Sequence, residues 1–187
     1  MKKLTISQSL RKEHRRLPID ENSFNKFKEA LKKMLSNIRD GQREDTQLGF
    51  LKDFLRETFY PKNWMAKDGD IDQVIKTGEE EKSDTALLIE AKSTINKSEM
   101  ITVSNLNGKA MRELLYYYLH ERELKGNISL KYMIVNNAYE FFIFDAHEFE
   151  RKFYNNKSLL NKFHDFKDGR LAGNTTGFFY EKVASEY

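Results

Sequence analysis

The apolar residues of this chain recur with two different periods, so alternating helical and extended segments are expected. A helical period begins after Pro18, and a second helix is predicted over residues 44–60, where Pro61 stops it. A longer helix is predicted over residues 105–124. The first helix is expected to bury one face, made of Phe24, Phe27, Leu31, Met34, Leu35 and Ile38.

Short apolar runs alternate with these helices and predict strands. They lie at residues 69–75, 87–92, 130–135 and 139–144, and C-terminal helices are expected at 147–154 and 159–166. The order ααββαββα predicts an α/β (α+β) fold, in which a mixed sheet of four or more strands is flanked by helices. One domain is expected, with an N-terminal arm, a helical pair, a sheet core and C-terminal helices at residues 1–20, 21–60, 69–146 and 147–187.

A carboxylate and an ammonium end the second of these strands. Glu90 and Lys92 follow an apolar run, and alternation along a strand places both charged side chains on one face. Leu87, Ile89 and Ala91 are expected on the other face. Charges at the edge of a hydrophobic strand are costly to bury, so they need solvent, or a metal ion and a substrate.

A polar connection with a glycine, residues 77–83, is suited to join the first two strands as antiparallel neighbours. If the pairing is centred on the middle of this loop, Asp72 lies opposite Leu88 and diagonal to Glu90, on the same surface. The sequence therefore predicts one cluster of Asp72, Glu90 and Lys92. Two carboxylates suit Mg²⁺, which prefers oxygen ligands and keeps several waters. A lysine beside such a metal can orient water or offset charge on a phosphate.

The spacing acid-x-lysine is a weak signal when taken alone. It occurs five times, at Glu80/Lys82, Glu90/Lys92, Glu123/Lys125, Glu150/Lys152 and Asp165/Lys167. Only the Glu90 copy follows a continuous apolar strand and has an acidic strand upstream. On the local pattern, a surface ion pair that contributes little to stability explains Glu90 and Lys92 equally well.

Glu44 allows two interpretations. It stands four residues before Leu48, so it projects from the apolar stripe of its helix and could reach the predicted cluster. Alternatively, it favours the positive end of the helix dipole, as acids in first turns commonly do.

Composition limits the classes of protein that need to be considered. A net charge of +3 permits nucleic-acid binding without requiring it. The absence of cysteine excludes disulfides and thiolate metal sites, and it fits a cytoplasmic location. The sequence contains no apolar stretch long enough to span a membrane. No signal peptide is expected, because the basic N-terminal stretch lacks an apolar core segment. The basic N-terminal arm is expected to be a solvated tail, or to lie on DNA or on another part of the protein.

The order and spacing of these residues resemble a known family. Asp72 and the Glu90-Ala91-Lys92 segment on adjacent strands resemble the PD-(D/E)xK nuclease motif, although Ile71 replaces its proline. The surroundings resemble, more narrowly, the N-terminal nuclease region of type IIG single-chain restriction–modification enzymes. The matching stretches cover nearly the whole chain and lie at residues 50–55, 59–60, 71–75, 88–92, 96–100, 106–110, 116–119, 134–137 and 142–146.

The resemblance implies a restriction-endonuclease-like core and a Mg²⁺-dependent DNA endonuclease, in which Mn²⁺ can substitute. Asp72 and Glu90 would be metal ligands, with the Ala91 carbonyl as a third. Lys92 would position or activate water, and Glu44 would be an accessory acid. The family's long enzymes carry a methyltransferase and a target-recognition region downstream, so these are expected as partners of this chain. A homodimer is a further expectation, because one cluster attacks only one strand at a time.

Double-stranded DNA is the expected partner, and polar residues near the cluster are candidates to contact its phosphates. These residues are Ser93, Asn96 and Lys97 in the loop after the strand and Asn107 and Lys109 at the following helix start. The competing interpretation is a DNA-binding or docking module without catalysis, in which the acidic cluster is structural. A small-molecule metal enzyme is a third possibility, but no residue pattern indicates base or sugar recognition.

Overall fold

A computed structural model describes residues 3–187 of this chain. Its helices are α1 (Ile6–Ser9), α2 (Glu21–Asn37), α3 (Glu44–Thr58), α4 (Lys109–Leu119), α5 (Ala146–Phe149), α6 (Lys157–Lys167) and α7 (Thr176–Lys182). Wider helical turns extend α4 over His120–Leu124 and α5 over Glu150–Tyr154. Its strands are β1 (Met65–Asp68), β2 (Ile71–Lys76), β3 (Thr85–Ala91), β4 (Tyr132–Asn136) and β5 (Phe141–Asp145).

The five strands form one mixed sheet in the order β1-β2-β3-β4-β5. Three neighbouring pairs are antiparallel, and β3 runs parallel to β4. A parallel pair needs a crossover connection, which α4 provides between β3 and β4. The predicted mixed sheet of four or more strands flanked by helices is therefore confirmed.

Helices cover both faces of the sheet. On one face, α2 and α3 pack on Leu87 and Ile89 of β3. On the other, α4 and the C-terminal helices, with aromatic residues such as Phe149 of α5, pack on Leu88 of β3. Every residue of β3 is buried, because this central strand has a neighbour on each side and a helical layer on each face. The charged end of β3 is thus held by rigid, buried structure.

The sequence prediction missed one strand and began the longest predicted helix too early, while most other predicted bounds differ from the structure by one or two residues. It missed β1, a short edge strand without β-branched residues that is irregular between Ala66 and Asp68. It also began the long helix at residue 105, whereas α4 begins at Lys109. Within the intervening residues, the Asn105 side chain accepts a hydrogen bond from the Asn107 amide at 3.1 Å, a local bond that competes with helix formation.

The buried face predicted for the first helix is correct only in part. Met34 in α2 and Ile38 directly after it are buried, but the side chains of Phe24 and Leu35 are exposed. The helix packs on α3 along one narrow stripe, so these two positions lie outside the contact.

The N-terminal segment from residue 3 to residue 20 is exposed at every position, and residues 1–2 of the predicted arm lie outside the described residues. Within residues 3–187, none of the helices is both long and apolar enough to span a membrane.

Candidate functional site

The antiparallel pairing of β2 and β3 brings Asp72 and Glu90 together. Gln73 pairs with Ile89 and Val74 with Leu88, so the register continued by one residue places Asp72 opposite Glu90. The expected pairing of Asp72 with Leu88 is wrong by two positions. Since side chains alternate with a period of two, this slip leaves Asp72 on the predicted face.

Hydrogen bonds to the backbone of residues 90–92 fix the end of β3 against β2 and β4. The Asp72 carboxylate accepts a hydrogen bond from the Ala91 amide at 2.9 Å. On the opposite side of β3, the Lys92 amide donates to the Asn136 carbonyl of β4 at 2.8 Å. The Asn136 side chain in turn donates to the Glu90 carbonyl at 3.2 Å. The segment from Glu90 to Lys92 is therefore clamped between both of its neighbours.

A third acid, which the sequence analysis missed, joins this cluster from α4. The Lys92 ammonium forms ion pairs with Glu90 and, at 2.7 Å, with Glu113. Glu113 in α4 is buried, and the more exposed Glu99 lies 4.0 Å from the same ammonium and 2.8 Å from that of Lys109. Glu113 follows Arg112 and precedes a run of apolar and aromatic residues, and no spacing in the sequence links it to Asp72 or Glu90.

The buried charges raise the pKa of the acids. Burial raises the pKa of Asp72, opposed by the Ala91 amide and the Lys92 charge. Burial also raises the pKa of Glu90 well above its ordinary value, with the nearby Asp72 and Glu113 charges adding to the effect. Burial disfavours the Lys92 ammonium, but the Glu90 and Glu113 charges outweigh this and raise its pKa. Lys92 is therefore a cation at neutral pH.

The acid–lysine cluster of Asp72, Glu90, Lys92 and Glu113 has an unmet demand for positive charge. When all four groups are ionised, three negative charges face the Lys92 ammonium, and the nearest further cation, Lys109, lies 3.8 Å from Glu113 and is shared with Glu99. Oε2 of Glu90 is buried and accepts no hydrogen bond from any residue between 3 and 187. A buried carboxylate oxygen without a donor is costly unless a cation or a proton satisfies it.

A divalent cation fits these donors. Mg²⁺ is commonly bound by one or two carboxylates and keeps most of its waters, so Asp72 and Glu90 are sufficient protein ligands. The Ala91 amide faces β2, and its carbonyl faces the same way in extended backbone. Within residues 3–187, no three His, Asp or Glu side chains are placed to hold one ion together. Any metal at this site would therefore depend on the carbonyl and on water for its remaining ligands.

Glu44 lies at the start of α3 and reaches the chain just after the cluster. Its carboxylate accepts a hydrogen bond from the Ser93 amide at 2.9 Å. Gln47, one turn later, donates to the Thr94 hydroxyl at 3.2 Å. The first turn of α3 thus holds the segment that follows Lys92.

The residues predicted to contact DNA differ in how they are engaged within the chain. Lys97 is exposed, and Asn96 accepts a hydrogen bond from the Ser98 hydroxyl at 2.7 Å. The Asn107 side chain donates to the Ser185 carbonyl at 2.8 Å. Lys109 is paired with Glu99. Asn107 and Lys109, at the start of α4, therefore both have side-chain partners within the chain.

The fold and the cluster define a mixed α/β domain with a buried acid–lysine centre at the end of its central strands. The chain belongs to the family described as "Domain of unknown function (DUF7149)", whose model matches residues 4–187. No match was found among curated proteins or among solved structures.

Proposed function

We propose that this chain is a Mg²⁺-dependent endonuclease domain with a restriction-endonuclease-like core that hydrolyses DNA phosphodiester bonds. We further propose that it is the cleavage module of a type IIG restriction–modification enzyme, located in the cytoplasm with methyltransferase and target-recognition partners. The observation that carries the proposal is the juxtaposition of Asp72, Glu90 and Lys92 on one face, with one Glu90 oxygen unsatisfied.

Each group in the cluster has a role in this hydrolysis. Asp72, Glu90 and the Ala91 carbonyl would hold Mg²⁺, which supplies charge that polarises the phosphate and lowers the pKa of a bound water. Lys92 is a cation, so it orients the attacking water and stabilises negative charge on the phosphate instead of accepting a proton. Glu113 holds the Lys92 ammonium at 2.7 Å, and Glu44 fixes the following backbone.

A binding or docking module without catalysis is the second candidate. The observation that favours it is the position of the Lys92 ammonium, which is already paired with Glu90 and Glu113. In that case, the cluster would be a buried ion-pair network and would bind no divalent ion. Metal binding therefore separates the two candidates.

Replacing Asp72 with Asn is expected to weaken Mn²⁺ or Mg²⁺ binding by more than about tenfold, because it removes a charged ligand. Isothermal titration calorimetry measures this affinity directly. Asp70→Asn is the matched control, because Asp70 is an exposed acid two residues away. It should bind the metal as the natural sequence does.

Nicking of supercoiled plasmid is the second readout. The proposal requires nicking that depends on Mg²⁺ or Mn²⁺, persists in Asp70→Asn and is lost in Asp72→Asn. Absence of both metal binding and nicking in the unmodified chain, with DNA binding retained, would establish the binding module instead.

A further inference from the structure

The basic side chains of this protein are concentrated in α2 and the segment before it. Residues 3–43 contain eleven Lys and Arg against five Asp and Glu, whereas residues 44–187 contain twenty against twenty-four. Such an asymmetry of charge within one chain is typical of contact with a polyanion. The positive charge is therefore a property of one part of the molecule.

Most of these cations form no ion pair within residues 3–187. Two of the eleven do so, namely Lys33 with Glu57 and Arg43 with Asp45. In residues 44–187, nine of the twenty Lys and Arg are paired with carboxylates. Cations that are not committed to a carboxylate in the chain are available to the phosphates of a ligand.

The exposed side of α2 carries two of these cations in a row. Lys28 and Lys32 are one helical turn apart, and both are exposed. Like charges at this spacing repel each other, so their placement is unfavourable for the isolated helix. The 17 residues of α2 span about 25 Å, the length of roughly seven base pairs. The helix is thus long enough to follow several phosphates.

The segment before α2 adds four exposed cations, Arg11, Lys12, Arg15 and Arg16. Its apolar side chains are exposed as well, and Ile6 reaches 82% exposure. Residues 3–20 therefore contribute little to the hydrophobic core, and burial in this domain does not account for their composition.

The C-terminal end of α2 lies near the chain segment that follows Lys92, although α2 itself packs on the face of the sheet opposite the acid–lysine cluster. The Arg39 carbonyl, two residues after α2, accepts a hydrogen bond from the Gln47 side chain at 3.1 Å. The same amide nitrogen donates to Thr94, which follows Lys92 by two residues. A polyanion lying along α2 would therefore extend toward the sheet edge where β3 ends, at which the segment after Lys92 begins.

We propose that Arg11, Lys12, Arg15, Arg16, Lys28 and Lys32, here called the basic strip, bind the phosphate backbone of duplex DNA and deliver it to the acid–lysine cluster. This inference rests on the proposed function, because it takes the substrate to be DNA. The basic strip would increase the affinity for DNA without selecting a base sequence, since phosphate contacts carry no sequence information.

The test is the salt dependence of binding to a labelled 30-base-pair duplex, measured by fluorescence anisotropy in EDTA. Lys28→Gln/Lys32→Gln should reduce the slope of log K against log salt by about 1.8, since each phosphate contact contributes about 0.9. Affinity near 0.1 M salt should fall by at least about tenfold. Lys131→Gln/Lys157→Gln removes two exposed, unpaired lysines from the rest of the described chain and should change neither quantity. Arg11→Gln/Lys12→Gln tests the segment before α2 in the same way.

An unchanged slope in both basic-strip variants, or an equal loss in the Lys131/Lys157 control, would overturn the inference. Tighter binding to single-stranded RNA or to phosphatidylserine vesicles, lost in the same variants, would also overturn it. Because the assay contains no metal, its outcome is independent of cleavage. DNA binding through the basic strip without metal binding or nicking would refute the nuclease alone.

Discussion

Replacing Lys92 with Met is expected to lower Mg²⁺-dependent DNA cleavage by about a hundredfold to a thousandfold. The ammonium is the charged group nearest to both buried acids, and its raised pKa keeps it protonated at neutral pH. Removing one preorganised group that stabilises developing charge typically costs this much in kcat. Single-turnover cleavage of a labelled duplex measures the loss.

Two further variants separate chemistry from folding in that experiment. Lys82→Met changes the exposed Glu80/Lys82 copy of the same spacing, paired at 3.0 Å, and should leave cleavage within about twofold. Lys92→Met also leaves Glu90 without an ion-pair partner and Glu113 with Lys109 alone, at 3.8 Å, which destabilises the fold. Lys92→Met/Glu113→Gln should recover part of the thermal stability and remain inactive. Recovery of cleavage in that double variant would contradict the role given to Lys92.

Replacing Glu90 with Gln is expected to abolish cleavage and to stabilise the metal-free fold at pH 8. The pKa of Glu90 is raised by burial, so its charged form is disfavoured in the folded state. Neutral Glu90 therefore makes its full contribution to the free energy of unfolding at pH values below the ordinary pKa of Glu. That contribution is lost as the pH rises through the pKa of Glu90 in the folded protein. Gln mimics the protonated form and should add about 1 kcal/mol or more at pH 8, or about 2–4 °C in Tm.

The pH dependence of the stability difference between Glu90→Gln and the natural sequence tests whether this prediction has the correct sign. The advantage of Glu90→Gln should be largest at pH 8 without divalent ions and should disappear near pH 4, where Glu90 is itself protonated. Glu99→Gln is the opposite control, because the hydrogen bond from Lys109 lowers the pKa of Glu99. That variant should gain no stability at pH 8. A Glu90→Gln protein that is less stable at pH 8 would show that the Lys92 ion pair outweighs the cost of burial.

Asp72 and Glu90 lie on the same face as predicted, although the predicted register between β2 and β3 was wrong. The pairing of β2 with β3 is centred one residue later than the loop pattern suggested, with an irregularity between Ile75 and Lys76. A shift of the partner by two residues preserves the face, whereas a shift by one would have turned Asp72 away from Glu90. Alternation along a strand was therefore a more reliable guide than the centre of a polar loop.

The groups that complete the cluster could not be predicted because they come from distant elements. Glu113 lies on α4 and Asn136 on β4, and both reach Lys92 or its backbone only through the parallel crossover. No local spacing links them to Asp72. Similarly, the partner of Glu44 is the Ser93 amide, a contact across 49 residues that sequence periodicity does not encode.

The central claim is that the carboxylates on β2 and β3 bind a divalent ion, and crystals soaked in Mn²⁺ test it directly. Anomalous scattering should reveal a peak about 2.1 Å from oxygens of Asp72 and Glu90, with the unsatisfied Glu90 oxygen as a ligand. Crystals of Asp72→Asn should lack the peak. Saturating Mn²⁺ without a peak at this position, with Lys92 still bound to Glu90 and Glu113, would contradict the account.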